Sequence, residues 1–411
     1  MRIVLSHFML LFCGFVGLSP ALAQEGQKWI VIGRDAASVA QSRLMRSPDD
    51  RSAFAVFGAN KDRAIANLGR VSTQELTRTI HPAFPRCGGY TVHDTREQAL
   101  AEINNPFYAA NTRLKLTFPK VMDQQAHVLP ALSLVDKQEI IATISALTSL
   151  GTRFFDSDKG QEAALLLEER WKKLGAGRPD FSVERVAHSW KQNSVIATIK
   201  GAVEPDEIVI IGAHLDSINP ADTNAAPGAD DDASGIAVIT EILRVLMQRD
   251  FKPRRTIQFM AYAAEEVGLR GSMEIAERYA RQMKKVVAVL QIDMTGFSGS
   301  DKNMYFISDE EYVNKDLTDF LKSLIAEYNG SGPHEITHGD TLCSYGCSDH
   351  VSWTRVGFPS AFPFEATFEN FNTSIHSPMD VVTKMDGTGT HQARFAKLGL
   401  EYAIEIGKSS Q

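Results

Sequence analysis

From Asp136 onward the chain alternates short, near-continuous apolar runs with longer amphipathic ones, and this alternation restricts the fold more than any other feature. Lys137 to Ser149 and Gln161 to Lys173 carry helical periodicity. Apolar runs then fall at Glu207 to Ala213, Thr256 to Ala263 and Val286 to Asp293, interleaved with helical patterns over Ile236 to Gln248 and Met273 to Met283. Further on come a strand-like run at Met304 to Ser308, a helical pattern at Asn314 to Tyr328, a late apolar run at Phe358 to Phe364 and a closing helical pattern at His391 to Ile406. A run that is apolar at nearly every residue, not every second one, suits a strand buried on both faces of a helix-covered parallel sheet. The expected fold is therefore α/β, a three-layer α/β/α domain with a mostly parallel central sheet.

In open sheets of this kind, sites form beyond the carboxyl ends of the strands. His214 follows one apolar run, Glu265 and Glu266 follow another, and Asp293 ends a third. Adjacent carboxylates at the end of an apolar run are costly unless something positive neutralises them. With His376 and one of Asp230, Asp231 and Asp232, these residues form a histidine and carboxylate donor set that suits zinc, with cobalt or manganese as substitutes. The set is too large for a single open catalytic zinc and suits two ions that share a bridging carboxylate. Glu265, beside a ligand but free of metal, would take the proton of the attacking water and return it to the leaving amine. Asp216, two residues past His214 on the same face, would accept the other imidazole N–H and fix its tautomer. Taken alone, the aspartate triplet reads as a solvated turn or a helix N-cap.

Charge and cysteines bound the setting. Lys and Arg against Asp and Glu number 14 against 9 for residues 24–120, giving +5, and 28 against 41 for residues 121–411, giving −13. A basic segment ahead of an acidic body suggests a removable partner that docks partly by charge, and the acidic body speaks against nucleic acid. Residues 1–23 read as a secretory signal: Arg2, an apolar stretch from Met9 to Leu18, then Ala21-Leu22-Ala23 before Gln24. No later segment is long and apolar enough for a bilayer span, so a secreted protein without a membrane partner is expected. Cys13 would leave with the signal and Cys87 is the odd thiol. Cys343 and Cys347, four apart, allow a disulfide in an oxidising compartment or a pair of metal thiolates. The chain thus divides into a signal (1–23), a small α/β unit (24–120) and a main domain (121–411). Met122 to His127 reads as an exposed linker, open to a processing protease somewhere between about Phe118 and Pro130.

Pro227 to Gly235, Ala261 to Ser272, Gln291-Ile292-Asp293-Met294 and Ser348-Asp349-His350 closely resemble the secreted bacterial leucyl aminopeptidases, a co-catalytic di-zinc metallopeptidase family. The resemblance runs from about Ser133 to Gly407, and Arg86 to Tyr90 also resembles the family's propeptide. It implies that Asp231 is the bridging ligand, that His214 and Asp293 complete one of two Zn2+ sites, and that Glu266 and His376 complete the other. Glu265 is then the general base. Tyr345 matches a tyrosine that stabilises the tetrahedral intermediate, and Cys343 and Cys347 match the family's disulfide. A hydrophobic S1 pocket maps to Met294, Phe364, Phe368, Phe371 and Ile375, with Phe371 where a family member has tyrosine. Relatives can carry a further C-terminal domain, which is not expected past Gln411. The implied activity is removal of bulky apolar N-terminal residues, leucine foremost, from peptides with a free N-terminus. The 24–120 unit is implied to be an intramolecular inhibitor and chaperone.

Overall fold

The computed structural model describes residues 28–45, 54–59, 63–84, 89–104 and 118–410. The signal segment and Arg86-Cys87-Gly88 lie outside the described residues.

The N-terminal unit comprises β1 (Trp29–Gly33), α1 (Arg34–Leu44), β2 (Ala55–Ala59), β3 (Arg63–Asn67), α2 (Thr73–Ile80), β4 (Tyr90–His93) and α3 (Arg96–Asn104). Its sheet has the order β2-β3-β1-β4, with antiparallel pairing throughout. The side chains of Ile30, Ile32, Phe54, Leu76 and Ile80 close a separate small core. Ser72 caps α2 by accepting from the Glu75 N–H, which fixes where that helix begins.

The body follows with α4 (Gln125–Leu132), α5 (Lys137–Thr148), α6 (Asp158–Leu174), β5 (Phe181–Val186), β6 (Ser194–Ile199), β7 (Glu204–His214), α7 (Ala233–Gln248), β8 (Arg255–Tyr262), α8 (Arg270–Arg281) and β9 (Lys285–Gln291). After these come β10 (Met304–Ile307), α9 (Lys315–Tyr328), β11 (His338–Thr341), α10 (His350–Arg355), β12 (Ser360–Ala361), β13 (Pro363–Phe364) and α11 (Thr390–Gly407). The main sheet has the order β12-β9-β7-β8-β6-β5, and β12, β9, β7 and β8 run parallel. Along β7, Val209, Ile211 and Ala213 enter the core shared with α7 and α11. The alternate residues Ile208 and Ile210 face Ile275 and Tyr279 of α8 and Trp353 of α10. Both faces of the strand are apolar because both are covered, as the unbroken apolar run requires.

Three elements differ from the sequence reading. The edge pair β5 and β6 is antiparallel, and Ser182, Glu184 and Arg185 of β5 are exposed, so it lacks the signature of a buried strand. The late apolar run divides: Ser360–Ala361 extends the main sheet, while Pro363–Phe364 pairs with β10 in a three-stranded sheet. The linker reading of Met122 to His127 also needs correction. The Asp123 and Gln124 N–H groups donate to Glu405, and α4 buries Val128, Ala131 and Leu132 in the main core. With apolar positions over barely two turns, α4 is too short to announce itself by periodicity.

Candidate metal centre and catalytic cleft

The carboxyl ends of β7, β8 and β9 converge, carrying His214, the Glu265-Glu266 pair and Asp293 into one buried cluster with Asp231 and His376. One Asp231 oxygen lies 2.9 Å from His214 Nε2 and the other 2.9 Å from His376 Nε2. His214 Nε2 is 3.6 Å from Asp293 Oδ1, and His376 Nε2 is 3.0 Å from Glu266 Oε2. Two donor triads result, His214/Asp231/Asp293 and Asp231/Glu266/His376, and Asp231 belongs to both. All six side chains, Glu265 included, are buried or nearly so.

Hydrogen bonds to neighbouring backbone fix this arrangement. Asp216 accepts from the Glu265 and Glu266 N–H groups at 3.0 and 3.2 Å, and lies 3.5 Å from His214 Nδ1. Asp232 caps α7 through the Gly235 N–H, and also accepts from the His214 and Met294 N–H groups. A Cβ at residue 235 would meet Asp232 Oδ1 at 2.3 Å, so glycine is what lets the helix start so close to the ligand strand. Asp380 accepts from the Asp230 and Asp231 N–H groups. Ser348 Oγ donates to Asp293 Oδ2 at 2.6 Å and leaves Oδ1 facing the cluster. Ala264, Met294 and His376 have φ of 58°, 52° and 55°, a left-handed backbone that such residues adopt only when held there. Asp380 had no assigned role in the sequence reading, and Asp230 and Asp232 entered it only as alternatives to Asp231 or as part of a turn or N-cap. The capping alternative was right for Asp232, but the solvated turn was not, because the whole triplet is buried.

The electrostatics call for positive charge. Burial pushes the Glu265 carboxyl far above the usual range, with Glu266 adding to the rise. Burial and then Asp231 raise Glu266 to about 7. Burial alone would depress His376, yet Glu266 and Asp231 hold it up at about 10. Both Glu265 oxygens and Asp293 Oδ1 are buried and accept no protein hydrogen bond. Buried acceptors without donors are costly, so the donor set fits divalent metal, with Glu265 outside both triads.

The nominated pocket residues also come together. Met294, Phe364, Phe368, Phe371 and Ile375 line one apolar cavity with Asp293, Tyr345 and Cys347, joined by Phe362, which sequence reasoning did not single out. Cys343 and Cys347 are disulfide-bonded, and Tyr345 sits between them against Phe368.

The N-terminal unit covers this cleft. His81 stacks on His376 with ring centroids 4.4 Å apart, and Thr77 Oγ1 donates to the Glu266 carbonyl at 3.4 Å. The Tyr90 and Val92 side chains press on the Gly268 backbone, where a Cβ would meet them within 2.9 Å. Beside the cleft, Arg355 Nε meets Glu102 at 3.2 Å, and Glu102 also pairs with His93 at 2.8 Å. Burial opposes ionisation of Glu102, but Arg355 and His93 outweigh it and hold the carboxyl at about 2.

Residues 194–400 match peptidase family M28. Leucine aminopeptidase 1 of Ajellomyces capsulatus is 36% identical over 316 residues, covering 74% of this chain and 79% of the relative. Among solved structures, LapB from Legionella pneumophila aligns with a TM-score of 0.75 at 29% identity, covering 93% of this chain and 99% of that one. The LapA aminopeptidase of the same organism aligns with a TM-score of 0.77 at 27% identity, covering 94% of this chain and 99% of that one. These shares exceed what residues 121–411 alone can supply, so the likeness includes the N-terminal unit. The α/β architecture expected from the sequence is that of these structures.

Proposed function

This chain belongs to peptidase family M28 and is a metallo-aminopeptidase of the leucyl aminopeptidase type; we propose that it holds two Zn2+ ions and removes bulky apolar N-terminal residues, leucine first, from peptides. The observation that carries this reading is Asp231, whose two oxygens serve two separate histidine and carboxylate triads. His214 and Asp293 would hold one ion with Asp231, and Glu266 and His376 the other. When bound, the ions supply an electrophile for the scissile carbonyl and acidify water.

The protein's own groups do the rest. Glu265, with its carboxyl raised by burial, accepts the proton of the attacking water and passes it to the leaving amine nitrogen. Tyr345 Oη donates to the carbonyl oxygen as negative charge develops there. The apolar cavity between Met294 and Phe371 takes the N-terminal side chain.

The N-terminal unit acts as an intramolecular inhibitor, because His81, Thr77 and Tyr90 stand where a substrate N-terminus must enter. A processing protease would then release an active, exported enzyme. Among the described residues no helix is long and apolar enough to cross a membrane. Export rests on the leader-like start and the Cys343–Cys347 disulfide. No nucleic acid or membrane partner is proposed.

The test compares leucine p-nitroanilide with its N-acetylated form before and after proteolytic removal of residues up to about 120. The reading requires that only the free amine be cleaved and that removal raise turnover. Equal cleavage of the acetylated substrate would refute an aminopeptidase, and unchanged turnover after removal would refute the inhibitor role.

A further inference from the structure

Arg153 lies under the metal centre with no exposed surface, the one arginine or lysine buried to that degree among the described residues. Its guanidinium donates to three backbone carbonyls: Nε to Leu215 at 2.8 Å, Nη1 to Pro227 at 2.6 Å and Nη2 to Gly228 at 2.9 Å. Leu215 is flanked by His214 and Asp216, and Pro227-Gly228 leads into Asp230-Asp231-Asp232. Its own backbone is held by Ser217 Oγ and by Gln192, so the side chain has a fixed base from which to reach. Gly228 has φ +55°, and a Cβ there would meet the guanidinium at 2.9 Å, so the loop is fitted closely around it.

We infer that Arg153 is a positioning residue for metal binding: it clamps the His214 segment to the Asp231 segment and sets the spacing between their donor atoms. The planar fork of a guanidinium serves three carbonyls at once, which an ammonium on a flexible stem does not reproduce. Burial opposes the charge of Arg153, and Asp380, Asp232, Asp216 and Asp231 offset that cost in part. The inference rests on the two-metal reading above, and the experiment separates the two.

Zinc affinity is measured by chelator competition on the full chain, for the parent, Arg153→Lys and Arg153→Met. Trp171→Phe serves as a control for lost core stability, since Trp171 is fully buried and its indole bonds Thr240 away from the site. Residues that orient metal ligands from behind typically account for roughly 10- to 100-fold in affinity. Arg153→Lys, which keeps the charge and loses the fork, is expected to weaken zinc binding by about that factor. Trp171→Phe, compared at equal loss in urea midpoint, is expected to bind as the parent does. Parent-like zinc affinity in Arg153→Lys overturns the inference. So does an equal loss in Trp171→Phe. A parent chain that binds no zinc fails the two-metal reading instead, before any variant is compared.

Discussion

Replacing Arg355 by alanine is expected to loosen the N-terminal unit without touching any metal ligand. Glu102 is buried at this junction and is held at about 2 instead of its ordinary 4.5. That net depression corresponds to about 3 kcal/mol of differential interaction, which is left after burial has opposed the pull of Arg355, His93 and Thr91. Breaking a buried pair by removing one partner costs roughly 3–5 kcal/mol, because the other charge is stranded. Taking about 3 kcal/mol as the loss, the ratio of lifted to seated N-terminal unit rises by roughly a hundredfold. The assay is hydrogen exchange of the Thr73–Ile80 amides in the unprocessed chain, with turnover of leucine p-nitroanilide measured in parallel. Both should rise in Arg355→Ala. Adding Glu102→Gln should recover part of the loss, since the stranded charge is then gone. Parent-like exchange across residues 73–80 together with parent-like turnover in Arg355→Ala would refute the reasoning.

Glu265→Gln should lower kcat by roughly 10²- to 10⁴-fold with zinc content unchanged; loss of zinc would make Glu265 a ligand instead of the base. The pH dependence of docking follows from the depressed Glu102 carboxyl. Its contribution is fully present above about pH 4.5, the unfolded value, and disappears as pH falls towards about 2. Exchange in residues 73–80 should therefore be insensitive to Glu102 between pH 6 and 9 and accelerate below about pH 4. An opening near pH 6 to 7 that vanished in Glu102→Gln would contradict that sign. Phe371→Ala enlarges the apolar cavity, and kcat/KM for leucine substrates should fall by roughly tenfold, relative to phenylalanine substrates; an unchanged ratio would place Phe371 outside the pocket.

The strand-end residues were legible because the rule that places sites beyond parallel strands needs only the order of elements, and β7, β8 and β9 are long enough to be read. His214, Glu265, Glu266 and Asp293 all follow from it. The choice of Asp231 within the triplet did not, because only the fold decides which of three adjacent carboxylates points between two histidines. Asp232 was legible only as a helix cap, and Asp380 was missed because it works through backbone N–H groups, which leave no mark in a side-chain pattern. Arg153 is similar, since a buried arginine bonded to carbonyls looks in sequence like any surface arginine before a helix. The late apolar run was read as one strand, although Pro363 has no N–H to give a ladder and the chain changes sheets there. The contact between His81 and His376 spans nearly 300 residues, and only the charge asymmetry and the propeptide resemblance at Arg86 to Tyr90 hinted in sequence that the two units meet.

The proposed activity depends on two metal ions sharing Asp231. The most direct measurement strips the chain, freed of residues up to about 120, with chelator and follows leucine p-nitroanilide turnover while zinc is returned, with bound zinc counted at each step. Activity that is lost on stripping and needs a second equivalent for full recovery, with two ions bound per chain, is the predicted result. Full recovery with one bound ion, and no second uptake, would contradict it.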